Sequence, residues 1–306
     1  MMKVFITGAA GQIGQRLALG LLKQGHEITC LDLAPAPAGL ENVWVQGDLS
    51  DLEKLSMLME GFGAVVHLSA ISDPIEWERY PEIIDVNVVG TFNVFEAARR
   101  ANIKRIVFAS SICAIGPISW TKPWTPDYLP MDDDHPRRPD DNYGATKLMG
   151  ETLARGFHVR FGMEVVCLRF TGVLFPDKPE SIERYQKWLS DPHGELVNRL
   201  WSYLRSEDAL EAIERSLRAP KIGYERVLLA APDSAVGKES LSNLVAQHFP
   251  QRLAQVQSLE KVAGENASLI STQSCFDLFG WRPSRSYRDV PGLAHLAGGD
   301  NVRAHA

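Results

Sequence analysis

Short apolar runs alternate with longer segments of helical character through the first 170 residues. "KVFITG", "EITCLD", "VWVQGD", "AVVHLSA", "RIVFASS" and "MEVVCLRF" are β-branched or apolar stretches; between them lie "QIGQRLALGLLKQG", ending at Gly25, "DLEKLSMLMEG", "EIIDVNVVGTFNVFEAARRAN" and a segment opening near Tyr143. Strands alternating with helices imply βαβ units. "AVVHL", "RIVFA" and "EVVCL" are continuously apolar rather than alternating, as strands buried on both faces require. The pattern predicts an α/β fold, a doubly wound parallel sheet with helices on both faces, over residues 1–170. Past that point the rhythm breaks. Residues 171–205, including "FPDKPESIERYQKWLSDPHGELVNRLWSYLR", are aromatic-rich, punctuated by proline and irregular, which suits a small C-terminal substrate-binding lobe. Residues 171–296 read as this mixed segment with returns to the core, and "AGGDNVRAHA", 297–306, reads as a disordered tail.

Composition narrows the partners. A chain of 306 residues, 45% of them apolar, can bury a large core, and its net charge of −6 without a Lys/Arg block argues against nucleic acid or an anionic membrane surface. The four cysteines, Cys30, Cys113, Cys167 and Cys275, have no C-x-x-C spacing. They suggest neither a disulfide framework nor a zinc site, and suit a reducing cytoplasm. No HExxH-type spacing occurs among the histidines, so no metal is expected. No run approaches the length of a membrane span, and "MMKVFITGAAGQIG" has too short an apolar run for a signal sequence.

"TGAAGQIG" places Gly8, Gly11 and Gly14 between a strand and a helix, the context in which a glycine-rich turn means dinucleotide binding in a Rossmann domain. The first glycine makes the turn, the second lets backbone approach a pyrophosphate, and the third allows close helix packing. The helix N-terminus, with Gln12 and Ile13, then faces the anion. Asp32 ends the second strand, eighteen residues after Gly14. A carboxylate there accepts hydrogen bonds from ribose hydroxyls and repels a 2′-phosphate, and no basic residue follows to receive one, so the expected cofactor is NAD. Asp48 and Leu49 of "GDLSD" are expected near the adenine, and Ser69 and Ala70 of "HLSAIS" near the pyrophosphate or ribose. In "DDNYGATKLMGE", Tyr143 and Lys147 stand four apart and share a helix face. That spacing is uninformative by itself.

Together, "TGAAGQIG", Asp32, "GDLSD", "HLSA", "NVVGTFNV", "VFASSICAIG" and "YGATK", in this order over residues 3–176, resemble the extended short-chain dehydrogenase/reductases, the group of NAD-dependent sugar epimerases, dehydratases and sugar dehydrogenases. The resemblance implies that Tyr143 is the acid/base. A free phenol titrates near ~10, so basicity at neutral pH requires that nearby positive charge favour the phenolate by about 4 kcal/mol. Lys147 and the nicotinamide ring supply that charge. Lys147 is also implied to hold the nicotinamide ribose, and Ser111 to hydrogen-bond the reacting oxygen, with the adjacent Ser110 second to it. Asn87 matches the asparagine that distorts its helix and orders a water near the lysine. A homodimer through the helices around 82–101 and from Tyr143 onward is implied too; Val88, Phe92 and Phe95 fit that interface and fit burial against the chain's own sheet equally well.

Departures from the family pattern narrow the reaction. Dehydratases carry an Asp-Glu pair where this chain has Ile112 and Cys113. Nucleotide-sugar epimerases place an asparagine where "RFTGVLFP" has Gly172, and a diphosphate-clamping arginine where Trp201 falls if Asp208 ends the matching run. Arg199 and Arg205 lie close enough to substitute. The missing handles favour a small sugar, sugar acid or polyol, and "YGATK", "LWSYLRSED" and the short lobe resemble uronate and aldose dehydrogenases. Ser72, Asp73, Ser111, Trp201 and Arg205 are the expected substrate contacts, and Arg169 reads as structural. The alternatives are a nucleotide-sugar 4-epimerase with tightly bound NAD and a non-catalytic NAD-sensing regulator.

Overall fold

The structure, a computed structural model, describes residues 1–72, 80–116 and 124–298. In chain order the elements begin β1 (Lys3–Thr7), α1 (Gln12–Lys23), β2 (Glu27–Asp32), β3 (Trp44–Gln46), α2 (Leu52–Leu58), β4 (Ala64–His67) and α3 (Tyr80–Ile84). There follow α4 (Gly90–Arg100), β5 (Arg105–Ser111), α5 (Asn142–Phe161), β6 (Glu164–Phe170), β7 (Val173–Leu174), α6 (Pro179–Ser190), β8 (Leu204–Arg205) and α7 (Ser206–Arg218). The remainder are β9 (Tyr224–Leu229), α8 (Leu241–His248), α9 (Leu253–Ala263) and α10 (Gln273–Phe279). The chain forms two compact units: Met1–Gly116, Pro139–Arg169 and Ile213–Val227 make the first, and Pro117–Arg138, Phe170–Ala212 and Leu228–Ala306 the second.

The first unit is built on a seven-stranded sheet of order β3-β2-β1-β4-β5-β6-β9. The ladders β2/β3, β1/β2, β1/β4 and β4/β5 are parallel, with Ile6 opposite both Cys30 and Val66. Strand order reverses at β1, which creates a crevice at the carboxyl ends of β1 and β4, the place where sheets of this kind hold ligands. Helix α1 forms because Gly14, Leu17, Ala18 and Leu21 put one apolar stripe on the sheet. Burying each leucine contributes about 2 kcal/mol. Gly25, at φ +77, ends the turn after it.

A core of Phe5, Val65, Phe95, Ile106, Phe108 and Phe157 lies under the sheet. Phe95 meets His67, Phe108 and Phe157 edge-on and is fully buried, so it belongs to the chain's own core and not to a dimer face. Phe92, on the same helix, is 42% exposed, and Val88 is half-buried. The helix expected over 82–101 is not uniform: α3 and α4 are joined by a π-helical stretch, Asp85–Val89, centred on Asn87.

His67 ends β4 inside this core. Its Nδ1 lies 2.7 Å from Thr7 Oγ1 and its Nε2 3.0 Å from Thr91 Oγ1. Since the Thr91 hydroxyl donates its one proton to the Asn87 carbonyl, Nε2 is the donor to Thr91 and Nδ1 accepts from Thr7. Burial pushes the imidazole from its ordinary value of 6.5 down to about 3, and the Lys147 charge pushes the same way. The unfolded chain therefore binds a proton that the folded chain refuses between those two values, and stability falls as pH drops through that window, by at most about 1.4 kcal/mol per pH unit. Denaturant unfolding at pH 7, 5 and 4 is expected to show this slope, and His67→Gln to flatten it; equal slopes in the two proteins would remove His67 as its source.

In the second unit β7 and β8 form a small parallel sheet, Val173 opposite Leu204. Part of the stretch expected to be irregular is the regular twelve-residue helix α6, with proline in its first turn and Ser181, Tyr185, Trp188 and Leu189 buried. The 4- and 3-residue spacing of these side chains carried the signal, masked by the flanking prolines. The expectation of a disordered tail falls mostly on 299–306, outside the described residues.

Candidate active site

The carboxyl edge of the first unit's sheet opens on a cavity of about 830 Å³ lined by Gly8, Gly11, Asp32, Asp48, Ser69, Ala70 and their neighbours. Each glycine has a separate steric reason. Gly8 sits at φ +71, and a Cβ there would stand 2.4 Å from Ser69 N and 2.6 Å from Leu68 C. A Cβ on Gly14 would stand 2.4 Å from the Gly8 carbonyl oxygen, so α1 packs on the turn without a side chain between them. Gly11 is different: its Cβ would meet only Gly8 O, at 3.2 Å, and it faces the cavity. It is also the N-cap of α1 and offers no side-chain cap, so the helix's first N–H groups are left for an anion. Gln12, Ile13 and Gly14 lie on α1 itself and do not line the cavity.

The far wall is acidic. Asp32 is aimed by two backbone donors, accepting from Ala10 N–H at 3.0 Å and from Ala34 N–H at 3.1 Å. Asp48 accepts from the backbone and hydroxyl of Ser50 at 2.9 and 2.6 Å, and the hydroxyl contact leads in holding its carboxyl below the ordinary carboxylate range. Leu49 lies beside it, with Gly90 close enough that a Cβ there would come within 2.9 Å of its Cδ1. Glu82 and Asp85 add two more carboxylates, and no Lys or Arg is among the lining residues. Such a wall suits ribose hydroxyls and opposes a 2′-phosphate. Sequence reasoning missed Glu82, Val86, Val89, Gly90 and Asn93 as lining residues; their 3–4 spacing was visible and the distortion at Asn87 was expected, but nothing local showed which face meets the cavity. Asn93 anchors it, donating to the Leu49 carbonyl at 2.8 Å.

Beside the cavity, α5 is docked on the end of β5. Asp141 caps the helix by accepting from Gly144 N–H at 2.7 Å. Gly144 lies so close to the strand end that a Cβ would be 2.4 Å from the Cys113 carbonyl oxygen, and one on Gly150 would be 2.6 Å from Phe108 Cζ. Lys147 is 3% exposed; its Nζ donates to the Ala109 carbonyl at 2.7 Å and lies 5.6 Å from the Tyr143 ring centroid. Burial pushes its ammonium down to about 8, against Cys113, Cys167 and Glu151, which pull it upward. Ser111 ends β5, with its Oγ accepting from Cys113 N–H at 3.1 Å. Asn87 joins the parts: Oδ1 accepts from Ile71 N–H at 2.8 Å, while Nδ2 donates to Ile71 O and Thr146 Oγ1, both at 3.0 Å. Its direct partner on α5 is therefore Thr146, the residue before Lys147.

The expected substrate residues are dispersed. Ser72 is exposed at the end of a described stretch, and Asp73 lies outside the described residues. Trp201 and Arg205 belong to the second unit. Trp201 is fully buried and its indole N–H donates to Pro192 O at 2.7 Å, so the side chain is committed to packing rather than free for a substrate. Arg205 is 7% exposed, donates to Ser286 O at 2.9 Å and pairs with Glu207 at 2.5 Å. Gly172, in the same unit, is covered: the Tyr185 hydroxyl donates to its carbonyl at 2.8 Å, and an added Cβ would meet that hydroxyl at 3.3 Å and Trp188 at 3.7 Å.

A glycine turn at the switch point of a parallel sheet, opening on an uncapped helix N-terminus and an acidic strand end, defines a dinucleotide-binding protein of the Rossmann class. The model of the NAD dependent epimerase/dehydratase family matches residues 4–221, and the chain belongs to that family. It is 33% identical over 225 residues to a uronate dehydrogenase of Pseudomonas syringae pv. tomato, covering 72% of each chain. With an L-arabinose 1-dehydrogenase (NAD(P)(+)) of Haloferax volcanii it shares 34% identity over 205 residues, 62% of this chain and 78% of that one. Among solved structures, uronate dehydrogenase from Agrobacterium tumefaciens superposes with a TM-score of 0.64 at 26% identity, over 93% of this chain and 85% of that one.

Proposed function

We propose that this protein is an NAD-dependent dehydrogenase that oxidises the hemiacetal hydroxyl of a small sugar or sugar acid, with a uronate as the favoured substrate. The observation that carries the substrate class is the closed space above Gly172. Where the family's epimerases place an asparagine against a nucleotide diphosphate, this chain has no side chain, and Tyr185 and Trp188 fill the room. Its similarity to uronate and arabinose dehydrogenases over most of its length points the same way.

The lining residues fit NAD. Gly8 and Gly11, at the N-terminus of α1, would hold the pyrophosphate, Asp32 the adenosine ribose, and Asp48 and Leu49 the adenine. Bound NAD+ supplies the hydride acceptor. In this reading Tyr143, as the phenolate, takes the proton of the sugar hydroxyl, and the positive charge of Lys147 keeps the phenolate within reach near neutral pH. Ser111 donates to the same sugar oxygen and fixes its direction. Asn87, through Ile71 and Thr146, ties the loop after β4 to α5 and keeps the cavity's edge in register with the lysine.

The reading extends to assembly and place of action: a homodimer through α4 and α5, whose Phe92, Met149 and Phe161 are 42%, 46% and 42% exposed, working in a reducing cytoplasm that suits four free cysteines. Among the described residues no helix is long and apolar enough to cross a membrane.

Incubating the purified protein with NAD+ and a panel of uronates, aldoses and polyols is the deciding experiment. NADH is expected to accumulate with a uronate or aldose and not with a UDP-sugar. Stoichiometric NAD surviving gel filtration, interconversion of UDP-sugars and no NADH from any free sugar would establish the epimerase instead.

A further inference from the structure

We propose that Glu151 is a positioning residue: with Ser110 and Arg169 it sets the register of α5 on β5, so that Lys147 and Ser111 address the same point. The chemical consequence rests on the dehydrogenase reading above.

Tyr143, Lys147 and Glu151 are spaced by four and form one stripe of α5. The last residues of β5 meet that stripe in sequence. The Ala109 carbonyl accepts from Lys147 Nζ at 2.7 Å, and the Ser110 hydroxyl donates to Glu151 Oε1 at 2.7 Å. Ser111 follows as the last residue of the strand, its hydroxyl oxygen accepting from Cys113 N–H at 3.1 Å rather than meeting Glu151. Ser110 thus has a partner of its own and is not a duplicate of Ser111. Glu151 and Arg169 are both fully buried; Arg169 Nε and Nη2 donate to Glu151 Oε1 and Oε2, each at 2.8 Å. The Glu151 carbonyl accepts from the Tyr224 hydroxyl at 2.9 Å. One residue therefore joins α5 to β5, β6 and β9.

An apolar cluster would hold these elements together as well, since a buried ion pair is rarely more stabilising than the hydrophobic residues that could replace it. What the pair adds is direction. Slipping α5 by one residue moves Nζ by about 1.5 Å, enough to lose the Ala109 contact. The pair also neutralises the buried Arg169 guanidinium. The groups packed around Lys147 and Glu151 are His67 on β4, Cys113 after β5, Cys167 and Arg169 on β6, and Tyr224 and Arg226 on β9. Loss of the Glu151 charge removes a group that favours the Lys147 ammonium and leaves the neighbouring Arg169 guanidinium without its carboxylate.

Three variants test this: Ser110→Ala, Glu151→Gln, and the double Glu151→Leu/Arg169→Met, which replaces the ion pair with apolar volume. Each is measured for melting temperature, NAD+ binding, kcat and KM against pH, and tyrosinate absorbance of the apoprotein, with Tyr143→Phe as the blank. Ser110→Ala and the double variant are expected to fold and to bind NAD+ within about two-fold of wild type, with kcat lowered about 10- to 100-fold, KM little changed and the pH profile in place. Glu151→Gln is expected to lose its alkaline limb at lower pH and to titrate Tyr143 at higher pH. If Ser110→Ala and the folded double variant keep the wild-type kcat and profile, Glu151 is only a packing residue and the proposal is overturned, whether or not Glu151→Gln folds. Should the wild type oxidise no sugar, the dehydrogenase reading fails separately; the tyrosinate titration still decides the Glu151 question, with an unmoved Tyr143 transition in Glu151→Gln counting against it.

Discussion

Replacing Tyr143 by phenylalanine is expected to lower kcat about 1,000-fold, within the range that a positioned acid/base contributes, while NAD+ binding stays within about two-fold of wild type. The substitution removes one oxygen and keeps the ring. The ring's near neighbour, Lys147 Nζ, is held by the Ala109 carbonyl and does not depend on the phenol for its place. The cavity that would take the adenosine half of the cofactor is lined without Tyr143. Steady-state kinetics on the substrate found in the panel, with cofactor binding followed by fluorescence quenching, separate the two effects. Turnover within ten-fold of wild type would show that another group removes the proton. A parallel loss of NAD+ affinity would show that the phenol's work is in cofactor binding. The direction of the kcat change matters as much as its size: if the hydroxyl acts only at the transition state, kcat and kcat/KM fall together.

Much of this site was open to reading along the chain, because its information is local. A glycine turn must follow its strand and precede its helix, so the three glycines and then Asp32 are read within the first βαβ unit, whereas the Tyr143/Lys147 pair takes its meaning only from the ordered motifs around it. The strands β2 and β5 have the limits that their apolar runs suggest. What stayed hidden depends on neighbours distant in sequence. Phe95 reads equally well as core or interface until Phe108 and Phe157 are seen around it. Arg169 is plainly a strand-end residue, yet its partner, Glu151, lies eighteen positions back on a helix and also accepts from Ser110. Trp201 was placed by aligning a stretch whose register nothing local fixes, and the structure commits its indole to the Pro192 carbonyl. The helix distortion expected at Asn87 is the π-helical turn Asp85–Val89, but which residues around it line the cavity could not be read along the chain. Local chemistry nominates a group; non-local packing determines where it points.

The three glycines of the turn should separate cofactor binding from folding when each is replaced by alanine. Gly11→Ala is expected to melt within a few degrees of wild type, since its Cβ would meet only the Gly8 carbonyl oxygen at 3.2 Å. It should nevertheless weaken NAD+ binding about 100-fold, roughly 2.7 kcal/mol, because the added methyl occupies the side from which a pyrophosphate must approach the helix N-terminus. Gly8→Ala and Gly14→Ala should lose both. At Gly8 the alanine must hold φ near +71 and drive its Cβ against backbone at 2.4 Å, and neither Ser69 N nor Leu68 C can rotate away as a side chain could. At Gly14 the obstruction is the Gly8 carbonyl oxygen, also at 2.4 Å, so relief requires α1 to lift from the turn. Left-handed strain alone costs on the order of 1–3 kcal/mol, and separating β1 from the loop after β4 adds to it at Gly8. Thermal unfolding with and without NAD+ distinguishes the cases: Gly11→Ala keeps its apo melting temperature and loses the upward shift that NAD+ gives, whereas Gly8→Ala and Gly14→Ala start lower. Gly11→Ala retaining wild-type affinity would mean that the dinucleotide does not pass over this turn, and the assignment of the cavity would fall with it.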